Sequence, residues 1–321
     1  MSQSRREFLG LVAASAVVPA VGAAGKRKLA EPWHEAWSPL KVVHEKGWDF
    51  GGGKMMCFAN RSSTQMLSTV FVSKTGHVAV VDGGFFKDGD FLFEKLMELG
   101  GKVDHWFITH AHEDHYGALD TMMKRPDFAR LRIGELVYSF PELDWMEKMG
   151  EPNSKKLTAA FLEKLRTVGK AIPQRRYVKG ETIRLDGGIT FEVLNDCNTD
   201  LKLPNINDTS ICLSVKAGGR KWLVTGDIAV QTGEKLVREL GAKLEHEIVF
   251  MAHHGQQGAD KRFYAAVKPK TAIWHTPDWL WENDVGQGPG SGPFKTNYTK
   301  CWMQDLGVRE HHVLTKDVMF D

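Results

Sequence analysis

The chain has 321 residues, of which 42% are hydrophobic and 26% charged, with a formal net charge of +2. That length accommodates one large domain or two modest ones around a sizeable core. The near-balanced charge offers no electrostatic case for a long polyanion or a membrane surface as partner.

Residues 1–25 form a separate object. Arg5 and Arg6 precede Phe8 and Leu9, and the small apolar run LVAASAVVPAV follows. The run is too short to cross a bilayer, which takes about 20 apolar residues. VGAAG then supplies small residues suited to a signal peptidase. The Ser-Arg-Arg-x-Phe-Leu pattern resembles the twin-arginine export signal. That resemblance implies bacterial export of an already folded protein by the twin-arginine machinery, to the periplasm or another extracytoplasmic site. Such signals often serve proteins that take up a cofactor before export. The mature chain would carry a net charge near +1 and no membrane span.

Residues 26–64 read as a lead-in, basic at Lys26, Arg27 and Lys28 and without clear period. Residues 64–84 look like two strands joined at the SKTG turn, the second ending at Asp82-Gly83-Gly84. Residues 90–100 have helical spacing with a glycine stop. The strand VDHWFITH runs into a histidine cluster, and EDHYGALDTMM opens a helix. Residues 141–171 are helical in parts, and residues 175–196 read as strands and turns. Residues 209–228 form a hairpin around Ala217-Gly218-Gly219. Then come a helix at 231–240, the strand HEIVFMAHHG, a short helix at 261–269 and the strand KTAIWHT. A flexible loop is expected at 286–293, and a helix and a strand at 300–321. Strands and helices alternate in two runs with polar clusters at strand ends, an α/β pattern whose loops hold the site. The four cysteines form no C-x-x-C pair. Disulfides are permitted in an exported chain, but these scattered residues read as buried apolar ones.

The segment His110-x-His112-x-Asp114-His115 packs three imidazoles and two carboxylates into six residues. In extended backbone His110, His112 and Asp114 face one way, and His115 joins them if the chain turns into a helix. Such a set is hard to bury without a cation, and imidazole favours zinc over manganese or iron. Two other strand ends add to it: WLVTGD delivers Asp227, and IVFMAHHG delivers His253 and His254. Trp274, Trp279 and Trp281 read as core packing or as an apolar substrate wall. His275 reads as structural, and His311 and His312 as surface or structural. His34, His44 and His77 have no partner in sequence.

With these residues in hand, the chain resembles the metallo-β-lactamase superfamily from about residue 65 onward. His110, His112, Asp114 and His115 match its H-x-H-x-D-H motif. Asp82 matches the strand-end carboxylate that buttresses the metal loop, Asp227 the carboxylate that bridges two metals, and His253 or His254 the last histidine. The resemblance implies a four-layer αβ/βα sandwich over residues 65–321 and a site for one or two metal ions. Asn207, Asp208, Ser210, Asp227 and the HHG turn are similar to the branch containing the hydrolase domain of DNA-uptake channel proteins. One departure stands out: no histidine lies between His115 and Asp227. Asn207 or Asp208 would take the vacant ligand place with an oxygen, which makes manganese more plausible beside zinc. Because neighbours on a strand point oppositely, one of His253 and His254 is expected to bind metal and the other to contact substrate or donate a proton.

The implied activity is hydrolysis by metal-activated water, whose pKa falls to roughly 7 in favourable sites. Asp114 would orient the nucleophile, and His254 or its neighbour would steady the developing charge. A small phosphodiester or ester is the expected substrate, nucleic acid being disfavoured by the charge. The alternatives are a non-catalytic metal- or ligand-binding protein of this fold, or a lactam or thioester hydrolase.

Overall fold

The computed structural model describes Leu40, Val42 and residues 50–203 and 205–321. The export signal, most of the lead-in, His34 and His44 lie outside the described residues. In chain order the elements are β1 (Lys54–Cys57), β2 (Thr69–Val72), β3 (Val78–Val81), α1 (Gly89–Glu98), β4 (Lys102–Val103), β5 (His105–Ile108) and α2 (Glu113–Met122). There follow β6 (Arg132–Ile133), β7 (Leu136–Tyr138), α3 (Leu143–Lys148), α4 (Pro152–Thr167) and β8 (Gln174–Arg175). The second run holds β9 (Thr182–Leu185), β10 (Ile189–Val193), β11 (Leu213–Ala217), β12 (Arg220–Val224), α5 (Val230–Leu240), β13 (Ile248–Phe250) and α6 (Lys261–Val267). It closes with β14 (Thr271–Trp274), α7 (Asp278–Trp281), α8 (Thr296–Asp305), β15 (Glu310–Val313) and β16 (Val318–Phe320).

Two seven-stranded sheets result, ordered β16-β1-β2-β3-β5-β7-β8 and β15-β14-β13-β12-β11-β10-β9. The alternation of side chains along each strand decides how they stack. Ala79, Val81 and Phe107 of the first sheet meet Val215, Trp222, Val224, Ile248 and Phe250 of the second in one buried cluster. The intervening residues point the other way. Val78, Val80, Trp106 and Ile108 bury against Leu92, Phe93, Leu119 and Phe161 of α1, α2 and α4. Leu223, Val249, Ala272 and Trp274 do the same against Leu236, Phe263, Val267 and Met303 of α5, α6 and α8. The strands are therefore apolar on both faces, and the layers run helix, sheet, sheet, helix, as the αβ/βα sandwich requires.

The hairpins follow their glycines. Gly218 and Gly219 take φ of 56° and 68° between β11 and β12, the left-handed pair of a type I′ turn. The SKTG turn closes with the Gly76 N–H on the Ser73 carbonyl at 2.9 Å. Two features depart from expectation. Part of the lead-in is built into the first sheet, since β1 pairs with both β2 and β16 and Met55 and Cys57 are fully buried. The last twenty residues hold two strands rather than one. β15 continues the second sheet beside β14, and β16 crosses back to β1, placing Met55 opposite Phe320. The loop at 286–293 has no helix or strand, and the Asp284 carboxylate gathers the N–H groups of Gly286, Gln287 and Gly288. All four cysteines are unpaired. No helix among the described residues is long and apolar enough to cross a membrane.

His246 bonds Ser214 Oγ at 2.7 Å and the Leu244 carbonyl at 2.9 Å at the base of the second sheet. Burial brings its pKa down to about 4. The unfolded chain, with an ordinary imidazole, binds a proton that the folded chain refuses. Stability is therefore full above the unfolded value near 6.5 and falls as the pH drops toward about 4. Replacing His246 by Gln is expected to flatten the stability profile below pH 6.5 by up to about 1.4 kcal/mol per pH unit. Urea unfolding at several pH values measures this; parallel profiles for the two proteins would contradict it.

Candidate metal centre

The residues singled out in the sequence converge at the carboxyl ends of parallel strands. Asp82 follows β3 and His110 follows β5, which pair in parallel. Asp227 follows β12 and His253 follows β13, which also pair in parallel. Ligand sites of open α/β sheets form where strands end in this way. After Ile108 the chain bends at His110 and Ala111 and is extended again at His112, the residue before α2, with φ −108° and ψ 149°. His110 Nε2 and His112 Nδ1 come within 3.1 Å of each other, and the first turn of α2 carries Asp114 and His115.

Asp114, His115, Asp227 and His254 each offer a ligand atom, and these atoms lie within 4.8 Å of one another. His115 Nε2 stands 3.3 Å from Asp227 Oδ1 and 3.7 Å from Asp114 Oδ1. His254 Nε2 stands 3.2 Å from Asp114 Oδ2 and 3.7 Å from Asp227 Oδ2. Beside this set, His110 Nε2 is 3.1 Å from His112 Nδ1 and 3.2 Å from Asn207 Oδ1. His110, His115 and His254 are fully buried. His112, Asp114 and His253 are partly exposed and mark the mouth.

The far sides of His115, His253 and His254 are held. Asp82, wholly buried, accepts from the Thr109 N–H at 2.8 Å, the Thr109 hydroxyl at 2.9 Å and His115 Nδ1 at 2.9 Å. His254 Nδ1 donates to the His275 carbonyl at 2.9 Å, and His253 Nδ1 to the Gln257 carbonyl at 3.0 Å. Each of these three rings turns its Nε2 inward, the orientation of metal-binding histidines whose other nitrogen is held by the protein. Asp227 is held through its own N–H, which donates to Ser210 Oγ at 3.0 Å.

The electrostatics are those of a site built around positive charge. Burial alone would lower the His115 pKa, but Asp227, Asp82 and Asp114 outweigh it and hold the ring well above the usual imidazole range. Burial would raise Asp227, yet His115 and His254 keep it well below the carboxylate range. Burial and the neighbouring His115 both push His110 well down. His115 Nε2 and Asp227 Oδ1 are buried without a hydrogen-bond partner although they point at each other. Such unsatisfied atoms are costly and are the mark of a missing partner. A divalent cation among these nitrogens and oxygens satisfies both, so the residues fit one.

Two expectations are amended. His253 and His254 do not alternate across a strand. They sit in a short turn, Ala252–Gly255, both in left-handed backbone with φ of 51° and 53°, and both rings reach the crevice. Asp208 turns away: its carboxylate accepts from the N–H groups of Ala229 and Thr232 at 2.9 Å and secures the start of α5. Asn207 alone of that pair faces the site. Trp274 is fully buried with the partly buried Trp281 against it at 5.2 Å, so core packing accounts for that pair, whereas Trp279 is partly buried and packs on Phe294. His275, His311 and His312 are all buried, in keeping with their structural reading. Thr109 and the carbonyls of His275 and Gln257 escaped the sequence reading, since backbone carbonyls leave no residue signature.

Two curated proteins match the chain. ComE operon protein 3 of Bacillus subtilis (strain 168) is 27% identical over 173 residues, which are 54% of this chain and 20% of that protein. Competence protein ComA of Neisseria gonorrhoeae is 34% identical over 87 residues, 27% of this chain and 12% of that protein. This chain therefore spans a fifth or less of the length of those relatives. Among solved structures, the metallo-beta-lactamase fold protein YhfI of Bacillus subtilis superposes with a TM-score of 0.52 at 11% identity, covering 84% of this chain and 99% of that one. That likeness is one of fold. The sequence family described as the metallo-beta-lactamase superfamily matches residues 65–290, which takes in every residue of the crevice, and the chain belongs to that superfamily.

Proposed function

We propose that the protein is an exported, metal-dependent hydrolase of small esters, with a phosphodiester as the first substrate to try. The observation that carries the reading is the four-residue cluster of Asp114, His115, Asp227 and His254 with its unsatisfied inward atoms. Asp114, His115, Asp227 and His254 hold the cation. Zinc suits the imidazoles, and manganese is the alternative where Asn207 contributes an oxygen. A bound divalent ion supplies Lewis-acid polarisation and an acidified water near neutral pH. Asp114, the carboxylate of the set that reaches the mouth, orients the attacking water. His254, fixed by the His275 carbonyl, presents its Nε2 beside the Asp114 carboxylate, toward the same cation.

No covalent nucleophile is called for. The Cys57 thiol is pushed up to about 12, chiefly by burial, and Cys197 to about 11. The resemblance of Asn207, Ser210, Asp227 and the HHG turn to the DNA-uptake branch supports a phosphoester over a lactam, and the small net charge favours a small substrate over a long polyanion. The Arg5-Arg6 signal supports export by the twin-arginine route.

Exhaustive chelation is expected to abolish hydrolysis of bis(p-nitrophenyl) phosphate, and zinc or manganese to restore it; a thioester and a cephalosporin complete the panel. Activity that survives chelation would sink the metal reading. Metal bound with no turnover on any of the three would favour a non-catalytic role.

Asp82 touches only His115 and Thr109 among these groups, so Asp82→Asn tests positioning. It should lower metal affinity or kcat/KM by about 10–100-fold with the fold intact. A wild-type zinc titration for that variant would show that the buttress is idle.

For export, Arg5→Lys with Arg6→Lys should leave the protein in the cytoplasmic fraction. Unchanged delivery to the periplasm would rule out the twin-arginine route.

A further inference from the structure

We infer that His275 is a positioning residue of the metal centre: its side chain bonds Thr69 of the opposite sheet and so fixes, across the gap between the sheets, the strand end that holds His254. The inference rests on the metal-centre reading above and adds to it a tie that lies outside the ligand set.

The place of the pair comes first. β13 and β14 run parallel, so His275, which follows β14, stands beside the turn that carries His254. Thr69 opens β2 and lies opposite Val81, the residue before Asp82. Side chains alternate along a strand. Ile273 points into the gap between the sheets and Trp274 into the outer layer, so His275 turns into the gap again. Phe71 points into the gap from the first sheet, and Thr69, two residues earlier, does the same. The two side chains meet there, with His275 Nε2 3.1 Å from Thr69 Oγ1.

The surroundings make that contact costly to lose. Thr69 is fully buried, and His275 is 1% exposed with the Phe250 ring 5.2 Å from its own. Cys57, the register partner of Thr69, places its Sγ 3.6 Å from the same hydroxyl. A hydroxyl and an imidazole taken out of water need partners. Two apolar side chains would fill the space as well, but they would not hold one atom against another. A hydrogen bond does, because it is narrow in distance and angle.

What the contact holds is His254. Its Nδ1 donates to the His275 carbonyl at 2.9 Å, and the Thr276 hydroxyl donates to its carbonyl. Residues 275 and 276 thus grip both the ring and the backbone of one ligand. The cluster takes Asp227 and His254 from the second sheet, and Asp114 and His115 from the helix that follows β5 of the first. Its width therefore depends on how the two sheets are set at this edge, and the His275–Thr69 bond spans the gap there.

The test is zinc affinity, by competition with a chromophoric chelator, together with the ligand-field spectrum of the cobalt(II) form, on the full chain. Thr69→Val keeps the shape of the side chain and removes the hydroxyl. It should weaken zinc binding by roughly 10–100-fold and alter the cobalt spectrum. Thr69→Ser, which keeps the hydroxyl, should match wild type in both. His275→Leu should lose as much as Thr69→Val, and the double variant no more than either single one. If His275→Leu misfolds, the Val and Ser pair at residue 69 carries the test. Wild-type zinc affinity and cobalt spectrum in Thr69→Val would overturn the inference, even if urea stability fell. So would a Thr69→Ser protein as weak as Thr69→Val, or losses that multiply in the double variant. A wild type that binds neither zinc nor cobalt would instead overturn the metal-centre reading itself.

Discussion

The contact between the Asp82 carboxylate and the outer nitrogen of His115 is the one on which the centre depends. Asp82 ends β3, and His115 opens the second half of the first turn of α2, so a single 2.9 Å bond joins strand to helix across the loop that carries the ligands. A buried carboxylate without partners would be several kcal/mol too costly. Asp82 accepts three hydrogen bonds, all from the segment it supports. With its ring so fixed, His115 presents Nε2 to Asp227 of the other sheet. The line from Asp82 through His115 to Asp227 thus runs from one sheet to the other, and the crevice lies where it crosses the gap.

Backbone conformation at the strand ends makes this possible. Among the described residues, non-glycine positions with positive φ are Asp82, His253, His254, Lys268 and Asn283, and the first three line the centre. Gly226, at φ 52°, sits just before Asp227, where a Cβ would come within 2.9 Å of Thr109 Oγ1. Each parallel strand must turn sharply within a residue or two of its last ladder bond to bring a side chain over the sheet edge. Left-handed residues do this, and packed sheets on one side with α2 and the loops on the other hold them there. Strain and function coincide because the same turns that cost energy aim the ligands.

Much of this was legible in the sequence, and the limits have physical causes. Doubly apolar strands followed by Asp82, His110, Asp227 and His253 announce sheet ends that carry chemistry, since local periodicity and polarity are properties of short windows. The hairpins at Gly76 and Gly218-Gly219 declare themselves through residues that tolerate positive φ. Pairing between distant segments carries no such mark. β1 and β16 are separated by most of the chain and meet only through the closed sheet, so one hid in the lead-in and the other at the chain end. The choice between Asn207 and Asp208 rests on which carboxylate or amide caps α5, a contact some twenty residues away in sequence. The direction of His253 rests on a backbone angle that the pattern HHG leaves open.

On the proposed reading as a metal-dependent hydrolase, charge would bear on which bond the centre acts on. Asp114 and Asp227 place two negative charges in the crevice, which one divalent ion would balance. Any further ion would leave a surplus of positive charge at the mouth, in a setting where low solvent access would strengthen it. A neutral centre draws no distinction between a lactam, a thioester and a phosphodiester on the ground of charge. A positively charged one favours the phosphodiester anion and, more strongly, the trigonal-bipyramidal state in which negative charge accumulates on the phosphoryl oxygens. Under that reading the count of ions would link to the class of substrate, and the left-handed turn that brings both His253 and His254 to the crevice would be part of what sets that count.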